Sequence, residues 1–377
     1  MTDPAAGRVA EQAPAAATAR AAPASASALA SAAPARRLRI AVTGVTGQIG
    51  AELIRSLQPL GTVLPLSRRE LDLAAPDTIA ARLDALAPDL VVNPGAYTAV
   101  DRAESDYATA HAVNAEAPAA IAGYCARRGA LLVHYSTDYV FDGGGERPWR
   151  EDDATAPINA YGRSKLAGED AIRAAGCAHL ILRTSWVYSL AGGNFLRTMV
   201  RLAASRDHLR IVGDQFGVPT PASFIADVTA QLIARRRADP ALADRSGVLN
   251  VAPSGRTNWH DYAVTGLTLL HRATVAATAG ATTSVTAGAA AIARAAAIAG
   301  ATPTAPAAAT APAAGVMPRP HWQVPKLPTF EAIPAAAYPT PARRPANSCF
   351  DLTRIERVWG LAMPPWDELL AVVLRDA

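Results

Sequence analysis

The run RIAVT at residues 39–43 is short, apolar and rich in β-branched residues. It gives way at once to Gly44, Gly47 and Gly50 and then to AELIRSL, whose apolar residues recur at helical spacing. Strand, glycine turn and helix in that order open a βαβ unit. The alternation continues with strands predicted at 62–66, 89–93 (DLVVN), 130–136 and 179–183, and helices at 76–86, 118–128 and 161–174. Short strands alternating with helices predict a doubly wound parallel sheet with right-handed crossovers.

Two stretches stand outside that pattern. Nearly half of residues 1–37 are alanine, broken by Pro4, Pro14, Pro23 and Pro34, which predicts a disordered tail. It lacks the basic start and greasy segment of a secretory signal. Residues 272–320 are an Ala/Thr sequence inside a span, 262–330, without a single Asp or Glu. This reads as a low-complexity, flexible insertion, with an Ala-rich helix as the alternative. The remaining chain divides into a dinucleotide domain at 38–185 and a smaller C-terminal part at 186–377 that also completes the sheet.

The 36 Lys+Arg against 32 Asp+Glu leave a net charge of +4, too little for a nucleic-acid stripe. No stretch has the Leu/Ile/Val/Phe density of a membrane span. Cys125, Cys177 and Cys349 stand alone without metal-ligand or disulfide spacing, so a reducing cytoplasm is expected. The expected partner is a small substrate, with neither nucleic acid nor membrane, for a monomer or homodimer.

Gly44, Gly47 and Gly50 in GVTGQIG sit where a tight turn must bring backbone against a pyrophosphate, with the helix N-terminus behind them. That makes the fold Rossmann-type. At the end of the second strand a carboxylate would grip an NAD ribose, whereas this chain has Ser67-Arg68-Arg69. Guanidinium suits a 2′-phosphate, which favours NADPH, with NADH as the second choice. Asp72 and Leu73 follow and suit the adenine edge and face, although Asp72 reads equally as a loop aspartate.

Tyr161 and Lys165 lie four residues apart, hence on one helical face. A phenol is a weak acid–base near neutrality, and a cation one turn away is expected to lower its pKa. Thr137 ends the fourth strand, at the carboxyl edge where such sheets bind ligands, and its hydroxyl suits a substrate carbonyl. His134, beside it, reads as a strand residue.

Four motifs in fixed order carry a resemblance. GxxGxxG, NxxAYTxVDxAE (Asn93 to Glu104), STDYVFDG (Ser136 to Gly143) and YGxSKxxGE (Tyr161 to Glu169) resemble the extended short-chain dehydrogenases/reductases, and within them the dTDP-4-dehydrorhamnose reductase family. Later segments around Trp186, Asn194, Asp214–Thr220 and Arg344–Ser348 agree.

The resemblance implies reduction of a 4-keto sugar nucleotide, with Thr137, Tyr161 and Lys165 catalytic, Tyr161 and Lys165 also at the cofactor and Lys165 holding the nicotinamide ribose. It places Gly47, Gln48 and Ile49 at the pyrophosphate, Ser67 or Arg68 at the ribose, Asp72 and Leu73 at the adenine, and Ala96, Tyr97 and Thr98 along the rest of the dinucleotide. Thr137, Asp138, Tyr139 and Trp186 would meet the sugar nucleotide, and Asn194 and Arg344 its diphosphate.

Two departures stand out. Pro94-Gly95 replaces small alanines, and Ser223 and Phe224 stand where some relatives carry magnesium-binding glutamates, although Glu52 matches one such position. No metal site is predicted, and magnesium dependence is left open. The rival functions are another nucleotide 4-keto-6-deoxysugar reductase or epimerase, and a non-catalytic nucleotide-binding regulatory subunit.

Overall fold

In the computed structural model the described residues are 37–299, 322–375 and 377, with the side chains of 280–299 outside the description. The tail expected to be disordered therefore lies outside the described residues, apart from Arg37. The chain runs β1 (Leu38–Thr43), α1 (Gln48–Ser56), β2 (Gly61–Leu66), α2 (Ile79–Leu86) and β3 (Leu90–Asn93). Then come two short helices, α3 (Val100–Ala103) and α4 (Tyr107–His111), and a π-helical turn, Ala112–Glu116. After these follow α5 (Ala117–Arg128), β4 (Leu131–Thr137), α6 (Ala160–Ala174) and β5 (His179–Thr184).

With a sixth strand, Gly247–Asn250, beyond β5, the sheet is parallel throughout in the spatial order Gly247–Asn250, β5, β4, β3, β1, β2. The chain leaves β1 toward β2 on one side and returns to β3 on the other. The crevice between the carboxyl ends of β1 and β3 is thus a topological switch point, the place where open α/β sheets bind ligands.

Strand periodicity explains the layers. Ile40 and Val42 of β1, with Val92, Val133 and Leu182, face one core together with Leu53 of α1 and Ile225, Val228 and Leu232 of the helix Ala222–Ala238. Ala41, Val91, Leu132 and Ile181 point the opposite way, onto Leu83, Ile121, Ala122 and Ile172. Neighbouring positions therefore serve opposite faces, and both are apolar because helices cover both. Each fully buried Ile or Leu stabilises by roughly 1.5–3 kcal/mol.

The C-terminal part has its own core. Leu196, Leu209, Ile211, Leu267 and Leu270 pack with Trp322, Val324 and Leu370, so the chain beyond the Ala/Thr segment returns to the residues that precede it. Parallel pairing of His208–Val212 with Thr329–Ile333 makes the same connection. Over 272–299 the helical alternative is what the structure shows, since the helix Trp259–Ala299 runs through it, and the rest of the segment lies outside the described residues. Among the described residues no helix is long and apolar enough to cross a membrane.

Candidate active site

A cleft of about 640 Å³ opens at the switch point. Its floor begins at Gly44, whose φ of +55° is a left-handed conformation, and a Cβ there would stand 2.6 Å from Gly95 Cα. Only glycine lets the β1 turn lie that close to the segment after β3. Gly47 N donates to Gly44 O at 2.9 Å and Gly47 caps α1, so the free N–H groups of the first turn face the cleft at Gln48, Ile49 and Gly50.

Arg68, Asp72 and Leu73 line the same cleft, as do Ala96 and Thr98. Ser67 and Tyr97 do not. Ser67 donates its hydroxyl and its N–H to Glu70, and that pairing holds the Glu70 carboxyl below its ordinary range. The Tyr97 ring turns inward, its hydroxyl donating to Asp106 at 3.0 Å.

Asn114 fixes the Tyr97 backbone. Its Oδ1 accepts from Tyr97 N at 2.9 Å, and its Nδ2 donates to Tyr97 O at 3.0 Å and to Ser164 Oγ at 2.9 Å. This residue was missed in the sequence because it precedes the helix expected at 118–128 and belongs to none of the motifs. It sits in the π-helical turn, a distortion common at functional sites. An asparagine within a largely apolar run, AVNAEAPAAIA, was the one signal available.

The reactive group set converges from β4 and α6. Thr137 ends β4 and caps the turn Asp138–Val140, accepting from Tyr139 N at 3.2 Å and donating to Asp138 Oδ1 at 3.0 Å. Asp138 is 2 % exposed, and its Oδ2 accepts from Ser348 Oγ at 2.5 Å. Burial lifts its carboxyl to about 6, although the Ser348 and Thr137 hydroxyls oppose that rise.

Asn159 caps α6 by accepting from Gly162 N at 2.8 Å. A Cβ on Gly162 would lie 2.2 Å from Tyr139 O, so glycine there lets the helix seat Tyr161 against that turn. The Tyr139 and Tyr161 rings meet edge to face at 5.5 Å.

One expectation is corrected here. The Tyr161 phenol is pushed up rather than down, by burial first and by the Asp138 charge second, with hydrogen bonding from Thr137 opposing. Lys165 is directed elsewhere: Nζ donates to Tyr135 O at 2.6 Å and lies 3.2 Å from His134 Nε2. Burial lowers its ammonium to about 8, with Glu169 opposing. Beneath it, Glu169 accepts both arms of Arg183, at 2.6 and 2.8 Å, a buried pair that keeps the Glu169 carboxyl low despite burial.

Trp186 lines the cleft and stacks on Trp259, which the sequence reading did not single out as a site residue. Asn194 is turned inward: its Nδ2 donates to Gln48 Oε1 at 3.1 Å and Ser189 O at 2.7 Å. Arg344 pairs with Asp101 at 2.7 Å.

The residues suit a dinucleotide. The Gly44 turn leaves room for it, α1 offers bare N–H groups, and Arg68 supplies a cation. The Thr184 and Ser185 hydroxyls line the cleft, buried and without a partner among the described residues. A parallel sheet with a glycine turn at its switch point and a Thr/Tyr/Lys set at the next strand end defines an extended short-chain dehydrogenase/reductase.

Comparison with known proteins narrows the class. The RmlD substrate binding domain family matches residues 38–377. A dTDP-4-dehydrorhamnose reductase of Burkholderia thailandensis is 42% identical over 342 residues, 90% of this chain and 99% of that protein. One from Escherichia coli K12 is 38% identical over 333 residues, 87% of this chain and 94% of that protein.

Two solved structures are similar. A dTDP-4-dehydrorhamnose reductase of Clostridium acetobutylicum has a TM-score of 0.70 at 27% identity, covering 90% of this chain and 99% of that one. The Bacillus anthracis enzyme, solved in complex with NADP, has a TM-score of 0.69 at 26% identity, covering 90% and 100%. The chain belongs to the dTDP-4-dehydrorhamnose reductase family.

Proposed function

We propose that this protein reduces the C4 keto group of dTDP-4-dehydro-6-deoxy-L-mannose to give dTDP-L-rhamnose, the last step of dTDP-rhamnose synthesis, with NADPH or NADH as donor. The observation that carries this reading is the convergence of Thr137, Tyr161 and Lys165 in one cleft with the glycine turn. Relatives of that activity, matched over nearly the whole chain, supply the substrate, and a relative solved with NADP supports the cofactor.

Residues 38–185 hold the dinucleotide and the part from 186 onward holds the sugar nucleotide. The glycine turn and the first turn of α1 take the pyrophosphate, and Arg68 pairs with a 2′-phosphate. When bound, the dinucleotide supplies the hydride to C4.

Tyr161 provides the proton for the sugar oxygen. Its raised pKa keeps the phenol protonated at neutral pH, as a proton donor requires, and an alkoxide is basic enough to take that proton. Lys165 carries positive charge beneath the cleft, which opposes the cost of forming a buried phenolate. Thr137 has one proton and two acceptors for it, Asp138 and the sugar oxygen. As substrate enters, the hydroxyl turns to the sugar while Ser348 continues to satisfy Asp138.

Three free, buried cysteines support a reducing, cytoplasmic setting. The test is turnover of reduced nicotinamide with the enzymatically prepared 4-keto sugar, followed by identification of the product. dTDP-L-rhamnose is the expected product. A C4 epimer would reassign the protein to another ketosugar reductase, and cofactor binding without turnover would favour a regulatory subunit.

A further inference from the structure

Lys165 is 2 % exposed, and its Nζ has two partners within hydrogen-bond reach, Tyr135 O at 2.6 Å and His134 Nε2 at 3.2 Å. His134 is sealed within the sheet at 0 % exposure. Its other ring nitrogen, Nδ1, lies 3.1 Å from Asn93 Nδ2, and the far end of that amide, Oδ1, lies 2.5 Å from Thr43 Oγ1. Four buried side chains thus form one chain of polar contacts from α6 through β4 and β3 to the end of β1. It starts at Lys165 and finishes one residue before the glycine turn.

A neutral imidazole has one N–H and one bare nitrogen, so the protons along this chain must all point one way or the other. An amide N–H aimed at Nδ1 requires Nδ1 to be bare. Nε2 then carries the hydrogen and faces Lys165, which has to be an uncharged amine. If Lys165 is an ammonium, it donates to Nε2 and the ring hydrogen sits on Nδ1. The Asn93 amide then turns over, giving its oxygen to the ring and its nitrogen to Thr43, whose hydroxyl becomes the acceptor. The two ends of an amide have the same shape, so the turn-over disturbs no packing. A doubly protonated ring is disfavoured, because burial and the Lys165 charge hold His134 well below the ordinary imidazole range.

We propose that His134 is a positioning residue for Lys165: its bare Nε2 holds the ammonium beneath the cleft, and Asn93 and Thr43, each able to donate or accept, adapt to the tautomer that leaves that nitrogen bare. The other ionisable groups around Lys165 are already engaged. On its own helix, Glu169 is held by Arg183 and Arg173, and Tyr161 stays protonated. On β4 and the turn after it, Tyr135 shares a hydrogen bond with Thr229, Asp138 is bound by Ser348 and Thr137, and burial keeps Tyr139 protonated. From β3 comes the neutral Asn93, in contact with His134. His134 is therefore the second acceptor that keeps a buried ammonium charged, next to one backbone carbonyl.

The experiment compares wild type, His134→Gln and His134→Leu as full-length protein. The kinetic arm rests on the reductase reading above and follows kcat from about pH 6 to 10. Gln can accept from Lys165 and donate toward Asn93, so the alkaline limb, expected near 8 in the wild type, should stay in place. Leu offers no acceptor, and the limb should move down by about one unit, with kcat at pH 8 falling about fivefold. Equal losses in both variants with an unmoved limb would reduce His134 to a packing residue and overturn the proposal.

The second arm needs neither substrate nor the Leu variant. In protein labelled with ¹⁵N-histidine at neutral pH, the imidazole signals absent from His134→Gln should belong to the Nδ1–H tautomer. An Nε2–H tautomer would overturn the proposal whatever the protein reduces.

Discussion

Trp186 lies face to face with Trp259, ring centroids 3.5 Å apart and planes 13° from parallel. Trp186 does this from a left-handed backbone, φ +49°, which for a bulky residue costs about 1–2 kcal/mol. Strain of that kind persists where the surroundings hold it, and it aims the indole along the cleft wall. Trp186→Ala is expected to raise KM for the sugar nucleotide about tenfold, since an aromatic face contributes on the order of 1 kcal/mol beyond its area. The dissociation constant for NADPH should stay within about twofold, which fluorescence titration checks. Trp259→Ala should move KM the same way by removing the support.

Replacing Tyr161 with Phe removes the proton donor and keeps the ring packing against Tyr139. Turnover is expected to fall about 10²–10⁴-fold, with cofactor affinity and thermal stability near wild type. Turnover within about threefold of wild type would remove Tyr161 from the chemistry.

Arg68 is the one member of Ser67-Arg68-Arg69 that lines the cleft. Arg68→Ala should raise KM for NADPH by about ten- to a hundredfold, because a charge-assisted phosphate contact is lost, and change KM for NADH little. The ratio of the two specificity constants reads the result.

The buried lysine makes stability depend on pH. An unfolded lysine keeps its proton up to about 10.5, whereas Lys165 in the fold releases it near 8. Between those values the unfolded state holds the extra proton, so the Lys165 contribution to stability rises as pH climbs through the window. Asp138 acts in the opposite sense: its folded value of about 6 lies above 3.8, so its contribution falls as pH rises from 4 to 6. Lys165→Met should be inactive yet melt a few degrees higher than wild type at pH 7, an advantage that narrows toward pH 10 in calorimetry.

Asn114→Ala removes three hydrogen bonds at once, leaving Tyr97 N–H and Tyr97 O without their partner, while Ser164 Oγ keeps its bond to Tyr161 O. Each orphaned group costs about 1–3 kcal/mol, so chemical denaturation should show a loss of about 2 kcal/mol or more. Because Ala96 and Thr98 flank Tyr97, cofactor affinity should fall with it.

Five of the six strands of the sheet were legible because each is a short apolar run beside a helix, and Gly44 announced the turn after the first of them; the sixth, Gly247–Asn250, was not singled out. Thr137, Tyr161 and Lys165 were legible as types and spacings. The direction of Lys165 was not, since helical spacing places a side chain on a face without choosing between Tyr161 above it and Tyr135 and His134 beside it. Asn114 and Trp259 were hidden for a related reason: one depends on a local π-helical distortion, the other on a stack between segments far apart in the chain.

The sequence by itself determined the alternation of strand and helix, the parallel sheet and the residue types at the cleft, because local propensity and periodicity depend on near neighbours. Tertiary structure alone decided which groups are sealed from water and what they then touch. Burial raised the Tyr161 phenol, lowered the Lys165 ammonium and linked Lys165 to Thr43 through His134 and Asn93. Desolvation and contact are properties of a packed interior, and four segments distant in sequence must meet before either exists.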